Sequence, residues 1–331
     1  MDLICEQSAI ELPSKKKVKL RMKNLRLHSS GVFSNVYRGT LLSPGPRKEI
    51  ALKKTWPNLE MNSQANTELK VLLDLGHKRH KNIIEICETI IFEYLPQTIS
   101  NIVKQIGGKC PDYIEIKLYS WQLFNGLTYL SNNHICHRDI KPQNLLIEPF
   151  SGMLKIADFG SAKFMKKMTK STFYQVTRYY RPPELLLKAT FYSPQVDVWS
   201  GGCVLGEITK GSILFPGKNA QHQFKLVVDA LGNPDETELM DMKAAILLID
   251  DQIAPHGFKP ILPYASEEII DILQRILVYS PNKRLCGEVL LSDPFFQELF
   301  IPNKRRTNGT FISNIITLDD IQEILYALFN F

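Results

Sequence analysis

A two-lobed α+β fold, a small sheet-rich lobe followed by a larger helical one, is what this chain of 331 residues predicts. Three observations carry that expectation. With 44% hydrophobic and 22% charged residues the chain is globular and buries a sizeable core, as one large domain or two lobes. From about Leu25 to Leu52 short apolar runs are broken by Ser-Gly and Pro-Gly-Pro, the punctuation of strands and turns. Beyond Asn66 the apolar residues recur at helical spacing instead.

Taken in order, residues 1–22 read as an N-terminal tail. Its run Lys15-Lys16-Lys17-Val18-Lys19 has two readings, a nuclear address and a solvated basic tail, of which the second is the commoner. The N-lobe occupies about 23–95, and within it Asn66 to Leu75 forms a helix ending at Gly76. The C-lobe runs from about 96 to 300. It opens on a longer helix from Asp112 to Asn132, with Ile114, Leu118, Trp121, Phe124 and Leu127 at the apolar positions, and repeats the pattern from Val196 to Lys210 before Gly211. Residues 301–331 form a C-terminal extension in which Leu318 to Phe331 carries Ile321, Ile324, Leu325 and Leu328 on one helix face. There is no internal repeat and no low-complexity tract.

Composition excludes several function classes. Cys5, Cys87, Cys110, Cys136, Cys203 and Cys286 are scattered, without a C-x-x-C pair or neighbouring histidines, so buried free thiols are expected and not a zinc site or a disulfide framework. The first residues lack an apolar core and no eighteen uncharged apolar residues run together, which predicts a soluble, intracellular protein without a membrane partner. A formal charge of +6, with basic residues not interleaved with aromatic ones, argues against nucleic acid as the partner.

The chemistry concentrates in His137-Arg138-Asp139-Ile140-Lys141-Pro142-Gln143-Asn144, followed fourteen residues after Asn144 by Asp158-Phe159-Gly160 and then by Pro182-Pro183-Glu184. Phosphoryl transfer needs its nucleotide clamped, its charge offset and the attacking hydroxyl aimed in line. Asp139 stands where a group would accept the hydroxyl proton, and Lys141 can reach the transferring oxygens. Asn144 and Asp158 supply hard oxygen ligands of the kind Mg²⁺ takes. Asp and Asn also cap helices and turns, but capping does not explain so many coincident matches. Lys53, in Ile50-Ala51-Leu52-Lys53, matches a phosphate-binding lysine on a strand. Its partner is expected to be Glu68, which opens the amphipathic run through Val71, Leu72 and Leu75; a solvated Glu68 is the alternative.

These motifs resemble those of protein kinases, and the resemblance implies MgATP as cofactor and protein substrates. Gly31, Phe33, Val36, Ala51, Lys53, Glu93 and Leu95 are then the nucleotide contacts, with Phe92 as gatekeeper. Two departures stand out. Ser29-x-Gly31-x-x-Ser34 keeps only the middle glycine of G-x-G-x-x-G, which narrows the backbone freedom that lets amides approach phosphate and predicts weaker or slower nucleotide binding. Asn82 to Tyr94 is short for the two strands and turn that such proteins usually place there, so a truncated hairpin is expected.

Ile135-Cys136 before His137, Gly160-Ser161-Ala162-Lys163, Arg178-Tyr179-Tyr180-Arg181 and Asp197-Val198-Trp199-Ser200 resemble, more narrowly, the glycogen synthase kinase 3 (shaggy) family over roughly residues 25 to 300. That resemblance implies a serine/threonine kinase acting on substrates already phosphorylated nearby, with the existing phosphate held by Arg138 and Lys163. The third cation of that site is Thr67 here, which predicts a weaker preference for such substrates. Lys166, Lys167 and Lys170 either compensate or are ordinary surface charge, the better of the two readings. Tyr174 matches an autophosphorylated activation-loop tyrosine, with simple packing of its ring as the alternative. No inhibitory site is evident around Ser8, so control by that route is expected to be missing. Glu184 with Arg284 resembles a buried supporting ion pair, and Asp197 a residue that hydrogen bonds the catalytic-loop backbone. The second functional reading is a pseudokinase scaffold, and a third role, compatible with either, is to hold a regulatory protein near residues 215–258. The expected location is the cytoplasm, and the nucleus if the lysine run is an address.

Overall fold

The structure, a computed structural model, describes residues 4–10, 16–30, 34–55, 62–76, 80–84, 86–88, 91–106, 112–165, 169–170, 176–245 and 253–329. Two compact units divide the chain. The first comprises Met1–Pro96 with Ala157–Ala162, and the second Gln97–Ile156 with Lys163–Phe331.

The first unit is built on a six-stranded antiparallel sheet of β1 (Ile4–Ile10), β2 (Lys17–Ser30), β3 (Ser34–Ser43), β4 (Lys48–Thr55), β5 (Ile86–Glu88) and β6 (Ile91–Glu93), in the order β1-β2-β3-β4-β6-β5. Helix α1 (Asn62–Gly76) begins four residues ahead of the expected Asn66 and buries Val71, Leu72 and Leu75. One sheet face carries the core: Leu20, Met22, Leu41, Ile50 and Ile91 are almost wholly buried, with Val18, Leu25 and Leu52 against them.

Residues 1–22 are a correction to the sequence reading, because Ile4–Ile10 pairs residue for residue with Lys17–Lys23 and forms the sheet edge. The cause lies in residues 17–22. Lys17, Lys19 and Arg21 alternate with Val18, Leu20 and Met22, so one side of the strand faces water and the other enters the core. Lys17 and Lys19 therefore stand on a strand and not on a solvated tail. Glu6 pairs with Arg21 across the ladder at 3.3 Å. Between α1 and residue 96, β5 and β6 form a hairpin of three-residue strands with an irregular register.

The second unit opens with β7 (Gln97–Thr98), which lies beside β9 (Leu145–Glu148) and β10 (Met153–Ile156) in a three-stranded sheet ordered β10-β9-β7. A short strand β8 (Ile135–Cys136) pairs with β11 (Lys163–Phe164), and β12 (Thr169–Lys170) with β13 (Phe191–Tyr192). Helices make up the rest: α2 (Ile99–Ile106), α3 (Tyr113–Asn132), α4 (Pro183–Leu186), α5 (Gln195–Lys210), α6 (Ala220–Leu231), α7 (Glu236–Asp241), α8 (Glu267–Ile276), α9 (Gly287–Leu291) and α10 (Leu318–Phe329). Asp112 caps α3 by accepting from Ile114 N, and Gly211 ends α5 at a positive φ of 73°. Helix α5 is buried from Val196 to Ile208. Gly202 is a condition of that burial, because a Cβ there would come within 2.7 Å of the Ile276 side chain on α8.

Arg306 fastens the C-terminal extension. Buried, it donates to both carboxylate oxygens of Glu115 at 2.9 and 2.8 Å and to the carbonyls of Pro149 and Phe150. Helix α10 packs on α9 with a narrower apolar stripe than the sequence suggests: Ile324 is buried while Leu325 stays 45% exposed. Cys136 and Cys203 are buried free thiols, but Cys5 is exposed on the edge strand. Among the described residues no helix is long and apolar enough to cross a membrane.

Candidate active site

Strand β4 presents Lys53. Residues directly opposite in an antiparallel ladder share a face, so the pairs Val36↔Lys53 and Arg38↔Ala51↔Phe92 set Val36, Ala51, Lys53 and Phe92 on the face opposite the core. There Lys53 Nζ meets Glu68 Oε2 on α1 at 2.8 Å and Asp158 Oδ1 at 3.0 Å. Burial pulls the Lys53 amine down, but Glu68 and Asp158 outweigh it and hold it above its ordinary value. It stays a cation.

Asp158 reaches Lys53 through unusual backbone, in the left-handed region at φ 66° and ψ 71°, a conformation that costs a non-glycine residue of order 1–3 kcal/mol. Phe159, fully buried beside it, anchors that turn against α1. The Asp158 side chain remains 48% exposed. Leu95 is buried after β6, and Glu93 is half-buried at its end. Gly31, Phe33 and Tyr174 lie outside the described residues, as do Lys166 and Lys167; Lys170 lies on β12.

In the second unit the loop between β8 and β9 carries Asp139. Its shape is set from below by Asp197 on α5, whose carboxylate accepts from His137 N at 2.6 Å and Arg138 N at 2.8 Å. These bonds stabilise the positive φ of 66° at Arg138. Burial pushes the Asp197 carboxyl up, and the charge of His137 and the two amides oppose it. Three side chains then fix the Asp139 carboxylate. Lys141 Nζ lies 2.6 Å from Oδ2, Asn144 Nδ2 donates to Oδ2 at 3.0 Å and to the Asp139 carbonyl at 2.8 Å, and the Thr177 hydroxyl donates to Oδ1 at 2.7 Å. Lys141 Nζ also reaches the Thr177 hydroxyl at 3.5 Å, closing the ring.

Thr177 is the residue that sequence reasoning missed. It stands next to the conspicuous Arg178-Tyr179-Tyr180-Arg181, but nothing local marks a lone threonine as a partner of a carboxylate 38 residues earlier. Val176 before it holds a φ of 69°, rare for a β-branched residue, and its carbonyl accepts from Arg181 Nε at 3.3 Å and Nη2 at 3.0 Å.

Arg138 and Lys163 come together through β8 and β11, where Lys163 faces Cys136 two residues before Arg138, and Arg138 Nη1 donates to the Tyr192 hydroxyl at 3.4 Å. Thr67, the third position, belongs to α1 in the first unit. Glu184 on α4 and Arg284 form a bidentate pair at 2.8 and 2.6 Å with side chains 2% and 0% exposed. Of the two residues expected to ligate a cation, Asp158 belongs to the first unit and Asn144 to the second. The donor chemistry fits Mg²⁺, which takes a few hard oxygens and keeps waters and phosphate for the rest. With Asn144 Nδ2 turned to Asp139, its amide oxygen is the atom left for a metal. The described residues hold no cluster of three or more His, Cys, Asp or Glu side chains suited to a metal.

Comparison with known proteins agrees with this geometry. Residues 25–296 match the protein kinase domain family. Glycogen synthase kinase 1 of Pyricularia oryzae is 34% identical over 304 residues, covering 86% of this chain and 75% of that protein. A Caenorhabditis elegans protein, gskl-1, named as a serine/threonine-protein kinase, is 32% identical over 322 residues, covering 92% of this chain and 87% of its own length.

Proposed function

From the premise that this chain belongs to the protein kinase family, as a serine/threonine kinase of the glycogen synthase kinase type, we propose the following division of labour among its residues. Lys53, held by Glu68, contacts the phosphates of ATP, and Asp158 with the Asn144 amide oxygen holds Mg²⁺. When bound, the metal offsets the negative charge of the phosphate oxygens. Asp139 accepts the proton of the substrate Ser or Thr hydroxyl as the new O–P bond forms to the γ-phosphorus and the bond to the β–γ bridging oxygen breaks, releasing ADP. Lys141 stabilises the transferring phosphoryl group, and Thr177 keeps the carboxylate aimed.

The observation that carries this reading is the Asp139 carboxylate fixed by Lys141, Asn144 and Thr177. Two donors fall on Oδ2 and one on Oδ1, so of the carboxylate's about four lone-pair sites Oδ1 keeps one for an incoming hydroxyl. Arg138 and Lys163 favour substrates that already carry a phosphate. The preference is weakened by Thr67, because a threonine cannot supply a charge-assisted bond. Tyr174 is the proposed activation-loop phosphosite. Regulation by a protein bound near residues 215–258 is supported by the face of α7, where Met240 is 77% exposed. Residence in the cytoplasm is the proposed location, and the nucleus is added only if the lysine run, of which Lys17 and Lys19 are exposed, is an address.

The test is transfer of radiolabelled phosphate from ATP with Mg²⁺ to a primed and an unprimed Ser/Thr peptide, beside an Asp158→Ala control. Labelling of both peptides, stronger for the primed one, is expected. Labelling no greater than the control overturns the catalytic assignment and leaves a scaffold that retains the fold.

A further inference from the structure

The second unit holds an apolar cavity that the phosphoryl-transfer residues do not use. Its volume is about 590 Å³, within the roughly 300–1,000 Å³ of small-molecule sites. The end of α5, the turn into α6, one face of α6 and residues 260–265 build it. Leu214, Phe215, Leu262 and Ala265 are buried and form its floor, Leu226 is a half-buried wall, and Tyr264, 83% exposed, marks its rim. Among the described residues of the lining, Lys210 is the one cation and Asp229 the one anion. Asp229 is already engaged, since Lys225 Nζ reaches its two oxygens at 3.0 and 3.1 Å. Lys210 has no such partner among the described residues: its Nζ reaches only the carbonyls of Ile213 and Leu214, at 3.4 and 3.5 Å, the long limit of a hydrogen bond. A lysine in the last turn of a helix is ordinarily explained by the helix dipole, but that role leaves the ammonium in water. Here burial pulls the Lys210 amine below its ordinary value, a desolvation cost that two long bonds offset poorly.

We propose that this cavity binds a small aliphatic monocarboxylate, its chain packed on Leu214, Leu226 and Leu262 and its carboxylate on Lys210 Nζ. One acid group meets the one uncommitted cation, and a charge-assisted bond of that kind is among the strong ones. The lining favours a small amphiphile over a peptide. A peptide segment brings backbone N–H and C=O groups that must be paired when buried, and the side chains here supply few partners, because the Thr209 hydroxyl donates to the Leu205 carbonyl at 2.9 Å and Asp229 is held by Lys225. An aliphatic chain asks for none. The site is independent of the assignments made to Lys53, Asp139, Asn144 and Asp158, so it stands or falls apart from them.

The experiment is fluorescence titration of the full chain with dansyl-undecanoate, and its displacement by decanoate, decanol and decylamine below their aggregation concentrations. Wild type is compared with Lys210→Met, Lys210→Arg and Leu226→Trp, each checked by thermal unfolding. Decanoate should displace the probe from wild type, decanol about tenfold more weakly, and decylamine not at all. Lys210→Met keeps the stem and loses the charge, so it should weaken the probe and decanoate by roughly tenfold to a hundredfold, the range of one charge-assisted bond, and leave decanol unchanged. Lys210→Arg keeps the charge and should stay within about threefold of wild type. Leu226→Trp narrows the wall and should weaken decanoate and decanol alike. Peptide phosphorylation by the ligand-free variants should remain within about twofold of wild type, because neither residue touches a reacting atom. Folded wild type that binds no decanoate overturns the inference. So does equal decanoate affinity in wild type and Lys210→Met, decanol that displaces as well as decanoate, or an acidic apolar peptide that displaces the probe more tightly than decanoate does.

Discussion

Replacing Glu184 by Gln removes the anion of a buried pair while keeping its shape, and the cost can be worked from the contacts. Deleting one partner of a buried ion pair typically costs about 3–5 kcal/mol, because the remaining charge is left uncompensated. Arg284 is not wholly abandoned: its guanidinium also donates to the carbonyls of Gln195 at 2.9 Å, Val278 at 3.2 Å and Tyr279 at 3.3 Å, and lies 5.2 Å from the Trp199 ring. These acceptors place the loss near the lower end, about 3 kcal/mol, which for a unit of this size lowers the melting temperature by roughly 6–12 °C. The assay is scanning calorimetry of Glu184→Gln, Arg284→Met and the double variant at neutral pH. The double variant should recover part of the loss, since it removes both charges. A drop below about 2 °C for Glu184→Gln, or a double variant as unstable as the sum of the singles, refutes the claim that electrostatics and not shape hold α4 in place.

Other expectations follow from the same contacts. Lys53→Met should lower kcat/KM by about two to three powers of ten, the scale of losing one preorganised charge at a reacting phosphate, with the peptide KM nearly unchanged in steady-state kinetics. Thr177→Val should lower kcat roughly tenfold by freeing Asp139, and Thr177→Ser should restore it, because about 1–1.5 kcal/mol is the worth of one such bond; equal rates for all three would refute the positioning role. Burial pushes the Glu207 carboxyl above its ordinary 4.5, against the bond it accepts from the Tyr180 hydroxyl at 2.7 Å. The folded protein therefore holds that proton more tightly than the unfolded chain. Stability from this group is full below about pH 4.5 and is lost as pH rises through the higher folded value, so the urea midpoint should fall less over that span in Glu207→Gln than in wild type. Ser29→Gly with Ser34→Gly should tighten ATP binding several-fold in a titration by restoring backbone freedom, leaving kcat within about twofold; a change in kcat alone would show that the serines act on chemistry.

Much of the site was legible because its chemistry is written in short segments. Asp139, Lys141 and Asn144 lie within six residues, so one loop fixes their mutual geometry, and the helix period that exposes one face of α1 also aims Glu68 toward β4. Thr177 was illegible for the opposite reason. Its bond to Asp139 spans 38 residues and depends on the strained backbone of Val176, which no composition or spacing announces. The strand within 1–22 had a signal, the period-two alternation of Lys17 to Met22, but the density of lysines suggested a tail. Lysines on the outer face of an edge strand are what guards it from further pairing, so the same charges that disguised the strand suit its position. Arg306 left no trace either, since its partners Glu115, Pro149 and Phe150 lie more than 150 residues away.

The departures from the usual kinase pattern are not spread evenly, and their distribution explains why catalysis and nucleotide grip should separate in experiments. Ser29, Ser34, Thr67 and the short β5–β6 hairpin all lie in the first unit, where their expected effect is on how tightly ligands are held. The groups proposed to move a proton or fix the catalytic loop, Asp139, Lys141, Asn144, Thr177 and Asp197, lie in the second, where Lys141, Asn144 and Thr177 hold the Asp139 carboxylate and Asp197 holds the backbone of His137 and Arg138. Bonds that fix Asp139 before substrate arrives lower the reorganisation needed during the reaction, a contribution independent of affinity. Loss of loop glycines is therefore expected to weaken binding without dismantling the chemistry, and a chain selected only as a scaffold would have had no reason to retain a carboxylate held by three donors.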